Sequence, residues 1–165
     1  MATKALLTAQ QYLAARFERD PELVHGELVK RPLPNFPHGN LQLEIGSRLR
    51  ALSASHPVFT GVEVRVRIAE DLYRIPDIAM WEGAAPEKLP SAPPVLVVEV
   101  NSPDDRLYDL LQKFEEYRAW GVPNLWLVEP ELKRFHIYDN GSLTEVSRFA
   151  LPKFSFEIAA ADLFR

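Results

Sequence analysis

An apolar segment near the middle of the chain, PVLVVEV (94–100), constrains the fold more than any other part of the sequence. A continuous apolar run of this length is typical of a central strand that is covered on both faces of its sheet. Residues 105–120 follow with apolar side chains at helical spacing, Gly121 stands where that helix would end, and NLWLVEP (124–130) predicts the next strand. This order predicts a βαβ unit with parallel strands and a right-handed connection.

The segments around this unit predict further helices and antiparallel strands. In chain order they are a helix from Thr8 to about Arg19, a strand pair at 22–30, a helix at 38–55, a hairpin of strands at 61–68 and 74–81, a second hairpin at 134–139 and 142–149, and a short C-terminal helix. We expect Leu13 and Leu107 among the inward-facing residues of their helices. The predicted class is α/β (α+β), with a mixed central β-sheet flanked by helices, in a single domain of residues 1–165.

The composition limits the possible sites and partners. The chain has 165 residues and contains no cysteine, which excludes disulfides and thiolate metal ligands. Its net charge of −4 argues mildly against a protein that coats DNA, because phosphate neutralisation dominates that kind of binding. No apolar run approaches the roughly 20 residues of a membrane span, and the N-terminal segment lacks the apolar core of a signal peptide. We therefore expect a cytoplasmic protein without a membrane partner.

Glu99 conflicts with its surroundings, because it interrupts the apolar run of the predicted central strand. A buried carboxylate without a partner either destabilises the fold or becomes protonated. Glu99 therefore needs a metal ion, a cationic side chain or an exit to solvent. The plain alternative is that Glu99 lies near the end of its strand and reaches water.

Asp77 is the second such residue, in the segment IPDI (75–78) that belongs to a predicted strand. On its own, Asp77 is equally well explained as a residue at the start of a strand that hydrogen-bonds a local turn. Two acidic side chains on neighbouring predicted strands, however, form the kind of oxygen-ligand set that suits Mg²⁺ or Mn²⁺. Together, Asp77 and Glu99 predict a site for a hard divalent cation.

Lys113 completes the predicted site. Glu99 lies roughly 7 Å back from the end of its strand, and the helix that follows runs back over the sheet and carries Lys113 about 8–12 Å in the same direction. A lysine side chain can span the remaining gap. Its head lies outside the apolar helix face, so we expect its replacement to leave folding nearly unchanged. Without the two carboxylates, a solvent-facing lysine would be the preferred interpretation.

These residues occur in stretches that resemble the Uma-two family of restriction endonuclease-like proteins, which itself looks like a branch of the PD-(D/E)XK nuclease superfamily. The matching stretches run in order along nearly the whole chain: ELVHGEL (22–28), His38, IPDI (75–78), VVEVNSP (97–103), Asp109, Lys113, Tyr117, GVP (121–123) and LWLVEP (125–130). The Ser-Pro turn, the spacing from Lys to Tyr to Gly-Val and the Trp-containing strand are specific in combination. The resemblance implies a restriction endonuclease-like core.

The resemblance also implies roles for particular residues. Asp77 and Glu99 would be the metal ligands. In the wider superfamily the catalytic lysine follows the second acid by two residues, a position that Asn101 occupies here, so the resemblance places the lysine on the helix, at Lys113. This agrees with the estimate of its reach.

The sequence does not decide two assignments in the N-terminal part of the chain. The resemblance implies one more catalytic acidic group from this region, supplied by Glu22, with Glu27 as the rival candidate. His38 lies either at the mouth of the site or, as a lone histidine at the start of a helix, on the surface or in a cap.

Two carboxylates, a metal ion and a lysine favour an Mg²⁺- or Mn²⁺-dependent endonuclease that acts on DNA. The alternatives are a catalytically silent module that binds nucleic acid or protein, and a hydrolase of another phosphodiester. A homodimer is expected, since cutting both strands of a duplex usually needs two sites. A local basic edge could be formed by Lys30, Arg31, Arg65, Arg67 and Arg74, although scattered arginines more often belong to a solvated face.

Overall fold

The structure is a computed structural model that describes residues 6–164. Its helices are α1 (Ala9–Ala14), α2 (Phe36–Ala51), α3 (Leu107–Trp120) and α4 (Ala160–Leu163). Its strands are β1 (Glu22–Val24), β2 (Glu27–Val29), β3 (Val58–Val62), β4 (Val66–Ala69), β5 (Leu72–Arg74), β6 (Ile78–Glu82), β7 (Leu96–Val100), β8 (Asn124–Glu129), β9 (Arg134–Asp139), β10 (Ser142–Val146), β11 (Arg148–Leu151) and β12 (Phe156–Ala159). Within the described residues, no helix is both long and apolar enough to cross a membrane.

The largest sheet has six strands in the order β10-β9-β8-β7-β6-β3. Strands β7 and β8 are parallel and are joined by α3, whereas the other neighbouring pairs in this sheet are antiparallel. Helix α3 ends at Gly121, whose φ of 114° is the left-handed conformation that glycine adopts most easily. The predicted βαβ unit and the predicted mixed central sheet are both confirmed.

Helices cover both faces of this sheet. The core on the α2 side includes Leu41, Ile45, Leu49, Val98 and Trp126. The core on the α3 side includes Val97, Leu110, Phe114, Tyr117 and Leu125. Because apolar area is removed from water on both faces, the hydrophobic effect stabilises the sheet from two sides. Strand β7 lies between the two cores, and all five of its residues are buried.

The alternation of side chains along β7 determines where Glu99 points. Val98 and Val100 belong to the core on the α2 side, whereas Val97 belongs to the core on the α3 side. Successive residues of a strand project to opposite faces. Glu99 therefore projects towards α3, together with Val97.

The strand predicted at 61–68 is wrong as a single element, because the structure divides it between two sheets. Strand β3 pairs with β6 in the six-stranded sheet, whereas β4 pairs with β5 in a four-stranded sheet of order β2-β1-β5-β4. The chain bends between β3 and β4 at Glu63, which has a φ of 50°. A Cβ atom on Gly61 would lie 2.6 Å from a methyl carbon of Val64, so this bend requires glycine. The strand predicted at 74–81 divides in the same way, into β5 and β6.

Smaller differences concern the ends of helices. Helix α1 ends at Ala14 rather than near Arg19, and Leu13 is 42% exposed. Leu107 is 62% exposed, because the first turn of α3 extends past the core.

The strand pair predicted at 22–30 is confirmed as β1 and β2. The C-terminal helix is confirmed only as α4, and residues 1–5 and 165 lie outside the described part of the chain.

Candidate active site

A cleft of about 460 Å³ opens beside the ends of β6 and β7 and the start of α3. It is lined by all four residues predicted for the site: Glu22, Asp77, Glu99 and Lys113. His38 lines it as well, which places this histidine at the site and not on the surface. Glu27 is exposed on β2 and is not part of the lining, so the structure favours Glu22 as the acidic group from the N-terminal region.

Asp77 and Glu99 lie opposite each other on adjacent strands. The antiparallel register of β6 and β7 pairs Ile78 with Val98, and one further step in the same register places Asp77 opposite Glu99. Residues directly opposite in such a pair project from the same face. Oδ2 of Asp77 accepts a hydrogen bond of 2.8 Å from the main-chain N–H of Val100, which fixes this carboxylate against the end of β7. Each acidic residue is only 5% exposed, so Glu99 is not a strand end that reaches water.

Lys113 lies between two carboxylates rather than in solvent. Its Nζ is 3.0 Å from Oε1 of Glu99 and 3.0 Å from Oε1 of Glu22. One helical turn further along α3, the hydroxyl of Tyr117 donates a hydrogen bond of 2.9 Å to the same Oε1 of Glu99. Residues four apart on a helix share one face. Helix α3 therefore directs two donors at a single buried carboxylate.

A chain of buried ion pairs continues from Glu22. Nη1 of Arg74 is 2.9 Å from Oε2 of Glu22, and Nε of Arg74 is 2.7 Å from Oε2 of Glu116. Oε1 of Glu22 also accepts a hydrogen bond of 2.8 Å from the main-chain N–H of Ile75. These distances lie within the ordinary range for hydrogen bonds. Both oxygens of Glu22 are therefore occupied by protein donors.

The contacts of Asp77 with side chains are longer. Nε2 of His38 is 3.3 Å from Oδ2 of Asp77, and Nη2 of Arg31 is 3.6 Å from Oδ1. Nη1 of Arg31 is 3.4 Å from Oε2 of Glu63, at the bend between β3 and β4. Nδ1 of His38 is buried without a hydrogen-bond partner among residues 6–164. This side of the cleft therefore retains polar groups that the protein itself only partly satisfies.

The sequence pattern missed Arg31, Arg74 and Tyr117 as parts of the site. Of the two alternatives for these arginines, a local basic edge or the more common solvated face, the solvated face is wrong for both, because their side chains are only 11% and 7% exposed. The proximity of Arg74 to Asp77 in sequence was the available signal. For Tyr117, the signal was its position one turn after Lys113. Arg65 lies elsewhere, where it contacts Asp20 at 2.8 Å.

The carboxyl groups of the cleft differ in their proton affinity. Burial raises the pKa of Glu99 to about 7, and the charges of Asp77 and Glu22 add to the rise against the opposing effect of Lys113. Burial acts in the same direction on Glu22, but Lys113 and Arg74 outweigh it and hold the pKa of Glu22 below its usual value. Burial also acts to raise the pKa of Asp77, but His38, Lys113 and the main-chain N–H of Val100 together outweigh it and lower the pKa. Of Glu22, Asp77 and Glu99, only Glu99 thus has a raised pKa, because its burial and its acidic neighbours disfavour the charged form.

This arrangement fits a hard divalent cation. Asp77 and Glu99 present carboxylate oxygens from adjacent strands, and a cation would favour the charged form of Glu99 that its burial and acidic neighbours disfavour. Among the described residues, no group of three or more His, Asp or Glu side chains is arranged to hold a metal ion. A cation here would have two protein carboxylates and would complete its shell with water, which is a coordination typical of Mg²⁺.

Comparisons with known proteins agree with the predicted resemblance. The model of the Uma2 family, described as "Putative restriction endonuclease", matches residues 9–155. A crystal structure of "a putative nuclease belonging to DUF820" from Anabaena variabilis ATCC 29413 is similar over 96% of this chain and 97% of that chain, with a TM-score of 0.81 and 19% identity. At this identity the likeness shows the fold alone. It confirms the predicted fold class.

A second solved structure, titled "cryoEM structure DrdV-DNA complex", is 14% identical and covers 74% of this chain and 10% of that chain. Its TM-score of 0.43 is too low to support an argument. Comparison with curated proteins gave no match. The family match includes all four residues predicted for the site and most of the chain. The chain therefore belongs to the Uma2 family.

Proposed function

We propose that this protein is a nuclease that hydrolyses phosphodiester bonds of DNA with a divalent cation, Mg²⁺ or Mn²⁺, held by Asp77 and Glu99. One observation carries the proposal. Lys113 and two acidic residues on adjacent strands converge in one cleft, with Nζ of Lys113 3.0 Å from Oε1 of Glu99. The family description and the name of the similar crystal structure support a nuclease.

A cation held there would polarise a phosphoryl oxygen and lower the pKa of a bound water. The other tasks belong to side chains of the protein. Lys113 is placed to orient the attacking water or to stabilise charge that develops on the scissile phosphate. Glu22 and Tyr117 act as positioning residues, because the first contacts Nζ of Lys113 and the second donates to Glu99.

The distribution of protein contacts over the oxygen atoms of Glu99 and Asp77 supports these assignments. Both contacts described for Glu99 use Oε1, which would leave Oε2 available to a cation. Asp77 is fixed through Oδ2 by Val100 and His38, and among residues 6–164 its Oδ1 has only the long contact with Arg31. One oxygen of each acid is thus held by close protein contacts, and Asp77 and Glu99 together would hold the cation.

The alternative is a nuclease-fold module that binds nucleic acid or protein without cutting it. The observation in its favour is that Glu22 and Glu99 already have a buried cationic partner in Lys113, so that the same residues could serve stability alone. We propose a homodimer for the active form, because cutting a duplex takes two sites. Light scattering in solution tests the oligomeric state.

The function is tested by cleavage of supercoiled plasmid DNA in Mg²⁺, in Mn²⁺ and in EDTA. We expect cleavage by the wild type only with a metal ion, and a loss of roughly 100-fold or more in Asp77→Ala. Asp139→Ala is the matched control, because this aspartate is exposed at the end of β9. Folding of each variant is checked by thermal melting. A wild type that binds Mn²⁺ but cuts no nucleic acid would support the silent module.

A further inference from the structure

Arg31 lies in the cleft, and its contacts with carboxylates among residues 6–164 are long. Its contacts with Asp77 and Glu63 are 3.6 Å and 3.4 Å long, beyond the 2.7–3.2 Å that is usual for N–H···O hydrogen bonds. Arg74 provides the comparison, because it reaches two carboxylates at 2.7 Å and 2.9 Å. A guanidinium carries five N–H donors in a planar fork. Arg31 therefore retains donors that its present partners do not use well.

The position of Arg31 in the chain is constrained. It lies in the connection between β2 and α2, where Pro32 and Pro34 restrict the backbone. Its side chain is only 11% exposed. Removing a cation from water has a free-energy cost that close anionic partners normally offset. The fold thus holds a largely desolvated guanidinium beside the carboxylate pair without giving it close contacts.

The need to neutralise the charge of Asp77 does not explain why Arg31 lies beside it. Oδ2 of Asp77 accepts from the main-chain N–H of Val100 at 2.8 Å and lies 3.3 Å from Nε2 of His38. Both contacts are shorter than the 3.6 Å contact of Arg31. Asp77 is therefore fixed by other groups, and Arg31 is free to take a second anion.

The charges that line the cleft differ between its two sides. The side formed around β1 and β2 carries the cations Arg19, Lys30 and Arg31. The side formed by the connection from β7 to α3 and the first turn of α3 carries three acids, Asp104, Asp105 and Asp109, and one cation, Arg106. In the part of the chain that the structure describes, neither Arg19 nor Lys30 has a carboxylate partner. A polyanion is attracted to the first side and repelled by the second.

We propose that Arg31 binds a phosphate oxygen of the nucleic-acid strand next to the carboxylate pair, and that the strand continues along Lys30 and Arg19. A planar guanidinium binds two oxygens of one phosphate at once, which gives this contact both strength and direction. The inference rests on the proposed function and deepens it, because it identifies the side of the cleft that the sugar-phosphate backbone takes.

The test is binding of a fluorescently labelled oligonucleotide in EDTA, measured by anisotropy over a range of salt concentrations. We expect Arg31→Gln to weaken binding about 10-fold or more. The slope of log K against log salt should fall by about one, as for the loss of one phosphate contact. Arg31→Lys should keep the slope and recover only part of the affinity. Arg48→Gln is the matched control, because Arg48 is 41% exposed on α2 and contacts Glu44 there, and it should change neither quantity.

A second measurement separates phosphate binding from a structural role. Calorimetry with Mn²⁺ should show that Arg31→Gln binds the metal ion at least as tightly as the wild type, because a competing cation near Asp77 is gone. The inference is overturned if Arg31→Gln binds the oligonucleotide with wild-type affinity and salt slope, if it loses Mn²⁺ binding, or if the wild type binds no oligonucleotide. A protein that cuts nothing but shows the expected binding results would refute the nuclease proposal and leave this inference standing.

Discussion

The two sides of the cleft floor are built differently. On one side, Arg74 is within 2.9 Å of Glu22 and within 2.7 Å of Glu116. On the other side, the cationic groups nearest to Asp77 are His38 at 3.3 Å and Arg31 at 3.6 Å. We call the group formed by Glu22, Arg74 and Glu116 the tight half. We call the group formed by Asp77, Glu99, His38 and Arg31 the loose half. Lys113 joins them, because its Nζ contacts one carboxylate of the tight half and Glu99 of the loose half.

Proton affinities follow the same division. The cations around Glu22 outweigh its burial and lower its pKa, whereas burial raises the pKa of Glu99 to about 7. A fully paired carboxylate serves the fold, because its charge is already compensated. An additional cation favours the charged form of a carboxylate whose burial and acidic neighbours disfavour it. We infer from this difference that the tight half anchors the site and that the loose half binds the cation.

The largest effect is expected from breaking the tight half. Arg74→Met should destabilise the protein by about 3–5 kcal/mol, because it leaves Glu22 and Glu116 without their shared buried partner. Urea denaturation measures this loss. Arg48→Met, which removes an exposed partner of Glu44, should change stability by no more than about 0.5 kcal/mol. Equal stability of the two variants would mean that the tight half does not anchor the site.

The residue that joins the halves should affect both rate and stability. We expect Lys113→Met to reduce cleavage by about 10²–10³-fold, or roughly 3–4 kcal/mol in the activation free energy. Single-turnover cleavage in Mg²⁺ measures the rate. The structure also changes the expectation that folding is unaffected, because Nζ contacts two buried carboxylates. A smaller loss of stability is expected, and protonation of Glu99 at acidic pH should restore part of it. Wild-type cleavage by this variant would remove Lys113 from the mechanism.

A smaller effect of opposite sign is expected in the loose half. In EDTA and at pH 8, Glu99→Gln should match or exceed the stability of the wild type by up to about 1–3 kcal/mol. With a folded-state pKa of about 7, Glu99 retains its proton where the unfolded chain has released it. The stability that Glu99 contributes is therefore fully present at a pH below its pKa in the unfolded chain. It is lost as the pH rises through the folded-state pKa of about 7. Lys113 keeps Glu22 as a partner in the variant.

Urea denaturation at pH 5 and pH 8 measures this effect. The advantage of Glu99→Gln should be confined to the higher pH. A large loss of stability at pH 8 would show that Glu99 serves the fold, like the carboxylates of the tight half.

The sequence was sufficient to predict the central strands and the residues of the cleft that conflict with their local pattern. Glu99 interrupts an apolar strand, and such a conflict is visible without a structure. The reach of Lys113 followed from the rise per residue of a strand and a helix. These inferences depend on local geometry, which is the information that a sequence pattern contains.

The remaining features depend on contacts between distant segments. Arg31 and Arg74 have no periodic signal, and only the pairing of β1 with β5 brings Arg74 to Glu22. The division at Glu63 was hidden because alternation of apolar residues continues through the bend. Tyr117 has the spacing of a core residue, and its ring is indeed buried, so its hydroxyl contact with Glu99 could not be separated from packing.

Calorimetric titration with Mn²⁺ measures whether the loose half is a metal site, and it does so without requiring cleavage. We expect binding by the wild type, a loss of at least about 10-fold in Asp77→Asn, and nearly unchanged binding in Glu116→Gln, which alters only the tight half. Thermal melting establishes that each variant is folded. Equal Mn²⁺ affinity in the wild type and Asp77→Asn, or an equal loss in Glu116→Gln, would show that Asp77 and Glu99 do not form the metal site.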